Sequence, residues 1–236
     1  HLMLNLKRAT DEILKIIGGS PMFPSNTILG GFKNSLSMEK LFSLRDSIFE
    51  IIDEANDLIK IFSEIKILDL KTNTGFLTIA PTDNSYPFYP GSLIFNKNNA
   101  DNADAIEEII KKNSPAKLGI LKNGEIVKTG AMARLNSFSS RLNPRTKELF
   151  QKLLFDFQNP YNNNLGQAIE ILHFLEEIIN LIDKLPSKNL ENVKGIDFLK
   201  NSNFLKQKFL KQKSVVGRAY IEAPRGILLH QTEINS

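Results

Sequence analysis

Apolar positions recur every three to four residues along the opening segment, where Leu6, Ala9, Ile13, Ile16 and Ile17 line one side of an amphipathic helix over residues 4–17. Gly18 and Gly19 supply its stop, since glycine adopts the left-handed geometry of a helix end at little cost. Residues 20–31 contain Pro21 and Pro24 and finish on Gly30-Gly31, which predicts a loop of fixed shape. A second helix is predicted from Ser37, as its cap, to about residue 63. Its stripe is Leu41, Leu44, Ile48, Ile51, Ile52, Ala55, Leu58 and Ile59.

The period then shortens. Residues 65–70, 75–79 and 92–95 read as short strands joined by turn residues such as Thr72-Asn73-Thr74, and 101–112 reads as a short helix. Segments 119–121 and 125–128 flank Lys122-Asn123-Gly124, a hairpin signal. Helix resumes after Asn143-Pro144, with Leu149, Phe150, Leu153, Leu154 and Phe157 as its buried face. The longest helix runs from about 165 to 185 and stops at Pro186; another covers 196–211, and a strand over 215–221 leads into Glu222-Ala223-Pro224-Arg225-Gly226. These elements predict one α+β domain over residues 1–236, a bundle of long helices with a small inserted antiparallel β-sheet.

A hydrophobic content of 42% and a mean hydropathy of -0.18 describe an ordinary globular chain. No apolar run approaches the roughly 18 residues of a membrane-spanning helix, and no basic segment leads into an apolar one near the N-terminus, so cytoplasmic location is expected. The net charge of +4 and pI of 9.1 invite a nucleic-acid reading. Lysines and arginines are interleaved with acids, however, and the one dense stretch, 200–213, sets Lys206, Lys208 and Lys211 among Phe204, Phe209 and Leu210. That pattern suits the wet face of an amphipathic helix, and nucleic acid is not the expected partner.

The absence of cysteine narrows the chemistry further. Disulfides, thiolate metal ligands, iron–sulfur ligation and cysteine nucleophiles all drop out. Three scattered histidines (His1, His173, His230) do not suggest a zinc site, so no metal ligands are assigned within the chain. His173 falls in an apolar helix and reads as a packed side chain. Glu107-Glu108 and Glu176-Glu177 are adjacent helical pairs that point in different directions, not acid–base pairs.

Glu222-Ala223-Pro224-Arg225-Gly226 is the most informative run, because proline and glycine hold Arg225 on a stiff turn. A rigid guanidinium can orient a ligand or act as an electrostatic neighbour. Spacing by itself favours a plainer surface ion pair between Arg225 and Glu222. In Gly130-Ala131-Met132-Ala133-Arg134-Leu135-Asn136, small residues allow close backbone packing. Arg134 and Asn136 there read as structural bracing ahead of substrate contact. His230 follows Ile227-Leu228-Leu229, close to the stiff turn.

The run from Glu222 through His230 resembles the "EAPRG…H" signature of nickel–iron hydrogenase large subunits. Residues 130–136 resemble the "GPLARLN" run of the cytoplasmic archaeal methyl-viologen-reducing type, and 16–32 resemble that family's "ILGG…HP…PGG" segment. The three occur in the family's order with compatible spacing. The resemblance implies that Arg225 is catalytic, its guanidinium over the open side of the metals. It implies that Ala223, Pro224 and His230 belong to the active-site wall, with Glu222 supporting the turn from behind. It also implies a nickel–iron centre and an iron–sulfur small subunit in the intact enzyme.

The departures carry equal weight. The family's four cysteine ligands have no counterpart, and Phe23 and Gln231 stand where histidines are common. Met132 and Ala131 replace a Leu and a Pro. Two readings stay open: the central region of a longer hydrogenase large subunit, inactive by itself, or a hydrogenase-like scaffold that has lost the metal centre. Apolar faces uncovered by such a cut predict self-association.

Overall fold

The structure is a computed structural model and describes residues 1–28, 31–34, 36–88, 91–99, 106–110, 112–113, 117–185, 214–223 and 226–235. It divides into two compact units: residues 1–60, 171–215 and 233–236 form one, and 61–170 with 216–232 the other.

The first unit is helical. Helix α1 (Leu2–Gly18) buries Leu6 and Ile13 and ends where Gly19 turns left-handed at φ 80°, its amide donating to the Lys15 carbonyl. The following loop is organised by Asn26, which is buried. Its Nδ2 donates to the Ile17 carbonyl at 3.0 Å and its Oδ1 accepts from the Asn34 amide at 2.8 Å. Gly18 O accepts the amides of Ser25 and Asn26. One side-chain amide thus ties the helix end to both arms of a short pair, β1 (Thr27–Ile28) and β2 (Gly31–Phe32). Helix α2 (Met38–Glu64) opens on Ser37, whose Oγ accepts the Lys40 amide, and buries the expected stripe, Ile51 being only half-covered. Asn5 donates to Glu54 between α1 and α2.

The second unit carries the sheet. Strand β3 (Gly75–Pro81) pairs antiparallel with β4 (Gly91–Phe95), and β4 with β5 (Asn98–Asn99). At Gly91, opposite Pro81, a side chain would run into the Ala80 carbonyl oxygen, so the two strands close only on glycine. Leu77, Ile79 and Leu93 form a core cluster on this sheet, with Phe95, Val127, Tyr220 and Ile227 packed against it.

Three expectations change. Residues 66–70 belong to no strand, the Leu70 amide turning back onto the Leu68 carbonyl, and Leu68 and Leu70 are exposed. Within the segment expected as helix over 101–112, residues 106–110 form strand β6 (Ile106–Ile110), antiparallel to β7 (Lys117–Leu121). Ile106, Ile109 and Ile110 have helical spacing, but cross-strand pairing overrides it. The turn at Lys122-Asn123-Gly124 forms, with Gly124 at φ 85°. Beyond it only one bridge joins Ile120 to Ile126, and β8 (Val127–Lys128) pairs parallel with β3, so the sheet is mixed rather than wholly antiparallel.

Helices α3 (Ala131–Phe138), α4 (Pro144–Lys152) and α5 (Asn163–Lys184) follow. Helix α4 stops before the expected face is complete, so Leu154 is fully exposed, while Phe150, Phe155 and Phe157 pack as an aromatic group whose last member meets Phe76 edge-on at 6.1 Å. Strands β9 (Ser214–Ala223) and β10 (Gly226–Asn235) pair, and the side-chain bonds Ser214–Glu233 and Arg218–Gln231 run in the antiparallel sense. The expected strand 215–221 lies inside β9. Pro186, the helix expected over 196–211, the basic stretch 200–213, and Pro224 and Arg225 lie outside the described residues.

Candidate functional site

Helix α3 begins at Gly130, whose φ of 78° and ψ of -153° are open to glycine and strained for other residues. Its carbonyl accepts the amides of Ala133 and Arg134, starting the helix at once. Ala131, Met132, Ala133 and Leu135 are all buried, and Phe76 of β3 packs against Met132 and Ala133. The small residues let α3 lie close to the sheet and carry a charge inward, because Arg134 is 1% exposed.

Its guanidinium is held by two buried carboxylates. Nε and Nη2 donate to the two oxygens of Glu170 at 2.7 and 2.6 Å, a bidentate pair. Nη1 donates to Glu222 Oε2 at 2.9 Å. The other Glu222 oxygen accepts from the Thr78 hydroxyl at 2.6 Å and the Ile79 amide at 3.0 Å. The Tyr86 hydroxyl donates to Glu170 Oε1 at 2.8 Å. Glu222 is 3% exposed and Glu170 and Tyr86 5% each. All these groups lie within the second unit.

The electrostatics follow from burial. Removal from water pushes the Glu222 carboxyl above its ordinary value, against the opposing pull of the Thr78 hydroxyl and Arg134. Burial, then the charge of Glu170, push the Tyr86 phenol well above its own, so it stays a donor. For Arg134 burial favours the neutral form, but the carboxylates outweigh it and the guanidinium is held charged. With both acids ionised, two negative charges face one positive.

Arg134 and Glu222, singled out in two separate motifs, are therefore partners. The surface pair considered for Glu222 is excluded on its side: its carboxylate is buried and engaged by α3 and β3. Asn136 is half-buried on α3 and not among the groups holding Arg134; Ala223 is half-buried at the end of β9; His230 is exposed on β10. His173 is buried beside Phe174, and burial lowers it to about 4 despite Glu177, which keeps it neutral at pH 7. Glu170, Tyr86 and Thr78 escaped sequence reasoning. The available signal was Glu170 itself, a carboxylate between Ile169 and Ile171 in the same helix as the histidine that drew attention instead.

The nickel–iron centre implied by the sequence resemblance does not fit the donors present. The chain has no thiolate, the two buried carboxylates are committed to Arg134, and no group of three or more potential ligands occurs among the described residues. None of the described helices is long and apolar enough to cross a membrane.

No protein-family profile matches the chain. Sulfhydrogenase 1 subunit alpha of Pyrococcus furiosus is 26% identical over 100% of the chain and 54% of its own length. Sulfhydrogenase 2 subunit alpha of the same organism is also 26% identical, over 99% of the chain and 52% of its own length. Among solved structures, an NAD+-reducing NiFe-hydrogenase in the hydrogen-reduced state aligns with a TM-score of 0.70 at 19% identity, covering 97% of this chain and 53% of that one. A NiFeSe hydrogenase variant from Desulfovibrio vulgaris Hildenborough aligns at 0.63 and 16%, covering 98% and 55%. Along its whole length the chain is similar in sequence to the two sulfhydrogenase alpha subunits and in fold to the solved hydrogenase structures, and it spans about half the length of those it matches.

Proposed function

We propose that residues 1–236 are the central region of a nickel–iron hydrogenase large subunit, a cytoplasmic oxidoreductase that interconverts hydrogen with protons and electrons alongside an iron–sulfur small subunit. In this reading they belong to one domain, a bundle of long helices with a small inserted sheet. The likeness to the sulfhydrogenase alpha subunits over the whole chain carries the reading. The pairing of the two motif residues Arg134 and Glu222 supports it.

Within the reading, this chain supplies scaffold and electrostatics. Glu222, held on both oxygens, fixes the end of β9. Ala223, Pro224 and His230 wall the pocket, and Arg225 is the catalytic guanidinium, permanently charged and unable to act as a proton donor near neutral pH. The thiolates that bind the metals come from outside these residues.

The test is to express the reading frame that carries this chain, with all it encodes on either side, and measure nickel content and hydrogen-dependent viologen reduction. The parent protein is expected to hold nickel and turn over, and residues 1–236 in isolation to do neither. Turnover by the isolated chain defeats the reading. A parent without cysteine pairs, inactive yet bound to other redox subunits, supports instead the hydrogenase-like scaffold, which the replacements Phe23 and Gln231 favour.

A further inference from the structure

Strands β9 and β10 form a two-stranded ribbon, and such a ribbon is at best marginally stable without something packed on it. Side chains alternate between the two faces of a strand. Glu222 is buried, and Tyr220 and Ile227 pack on the cluster of Leu77, Ile79 and Leu93, so these three share the face turned to the sheet. The cross-strand bond from Arg218 Nε to the Gln231 side chain at 2.6 Å joins two residues of the same parity. The outer face therefore carries Gly217, Ala219 and Ile221 on β9 and Leu228, His230 and Thr232 on β10, every one of them exposed. All lie within the second unit. None is Asp, Glu, Lys or Arg, on a chain in which 24% of residues are. An antiparallel ribbon wetted on its outer face places polar side chains there. Here the charge sits on the sheet side, at Arg218, and the outer side presents Ile221 and Leu228, 44% and 49% exposed. A Cβ on Gly217 would meet nothing within 4 Å, so another backbone has room to come close.

We infer that the outer face of β9 and β10, centred on Ile221 and Leu228, is the docking surface for an apolar segment of the same parent polypeptide, encoded outside residues 1–236. The inference rests on the central-region reading given above. Chain length points to that occupant: the sulfhydrogenase alpha subunits match this chain over 54% and 52% of their own lengths, so close to half of each lies outside the match. The chemistry agrees. A face this poor in charge resembles a core cut in half, as permanent contacts do, rather than the more polar surface of a transient one. A segment of the same polypeptide also covers it without the loss of translational and rotational freedom that a second molecule incurs.

The experiment uses the full parent subunit, unsubstituted, in whatever complex it forms. Hydroxyl-radical footprinting compares Leu228 with its neighbour Leu229, which lie on opposite faces and are exposed alike in this chain at 49% and 44%. Leu228 is expected to be oxidised several-fold less than Leu229, and equal oxidation overturns the inference. Photo-leucine, close to leucine in size and incorporated in its place, then identifies the occupant. After irradiation, Leu228 should be cross-linked to a peptide of the same polypeptide from outside residues 1–236, and an isotope-mixed sample tells within-chain links from links between copies. Cross-links from Leu228 to a second copy or to a different subunit overturn the inference, as does the absence of any cross-link there. A reading frame that encodes nothing outside residues 1–236 defeats the central-region reading together with the inference, and is seen from the gene before any labelling. With a longer reading frame in hand, the labelling results bear on the docking surface alone.

Discussion

Replacing Arg134 with methionine keeps much of the side-chain volume while removing all three of its hydrogen bonds to Glu170 and Glu222, at 2.6, 2.7 and 2.9 Å. Two carboxylates then face each other in the interior without a cation. Breaking a buried pair from one side costs about 3–5 kcal/mol, since the remaining charge has no compensation. For a chain of this size each kcal/mol lowers the melting temperature by ~2–4 °C, so Arg134→Met should melt about 6–20 °C below wild type. The same physics predicts recovery when the carboxylates go as well. In Arg134→Met/Glu170→Met/Glu222→Gln no charge is stranded, and Gln can still accept from Thr78 and Ile79. Most of the lost stability should return, as it does when buried ion pairs become apolar contacts. Circular dichroism melts and urea midpoints of the three proteins decide it. A single variant within about 1 kcal/mol of wild type, below the usual cost of a stranded buried charge, would refute the account of Arg134 as compensator. A triple variant no better than the single would refute the account of why the single is unstable.

Glu222 has its folded-state value raised by burial above the ordinary 4.5, so its contribution is full below that range and is lost as pH rises through the raised value. Urea midpoints should therefore shift in favour of Glu222→Gln relative to wild type as pH increases from 4.5, and a difference that is flat in pH contradicts this. His173 behaves in the opposite sense: lowered to about 4 from 6.5, it costs stability as pH falls through that window. His173→Leu should remove up to about 3 kcal/mol of acid loss between those values, read from urea melts at pH 7 and 4. Exposed Phe23, Phe49, Leu154, Leu228 and Leu229 predict concentration-dependent association of the isolated chain. Size-exclusion chromatography showing a monomer at every loading removes that prediction.

Helices were legible because their signals are local. The stripes of α1 and α2, the stop at Gly18-Gly19, the cap at Ser37 and the Asn143-Pro144 start of α4 all lie within a few residues of what they control. Strands were less so. Residues 66–70 pair with no strand among the described residues despite strand-like composition, and Ile106–Ile110 becomes a strand because β7 pairs with it, which no window around residue 106 reveals. The site was half legible. Arg134 and Glu222 stood out as charges in constrained runs, but their pairing spans 88 residues and that of Arg134 with Glu170 spans 36. Glu170 was hidden for a further reason: on a helix rich in Ile and Leu, a single acid reads as solvent-facing unless an inward arginine is known to await it.

The hydrogen bond from Thr78 to Glu222 crosses 144 residues of chain. At a synthesis rate of about 5–20 residues per second, roughly 7 to 29 s separate the emergence of the two groups from the ribosome. Over that time β3 exists without its acceptor, and Leu77 and Ile79 wait for Tyr220 and Ile227 to cover them. In that interval β4 and β8 already pair with β3, but its Leu77–Ile79 face lacks its cover from the β9–β10 segment, and that face is what a holding chaperone has most to shield.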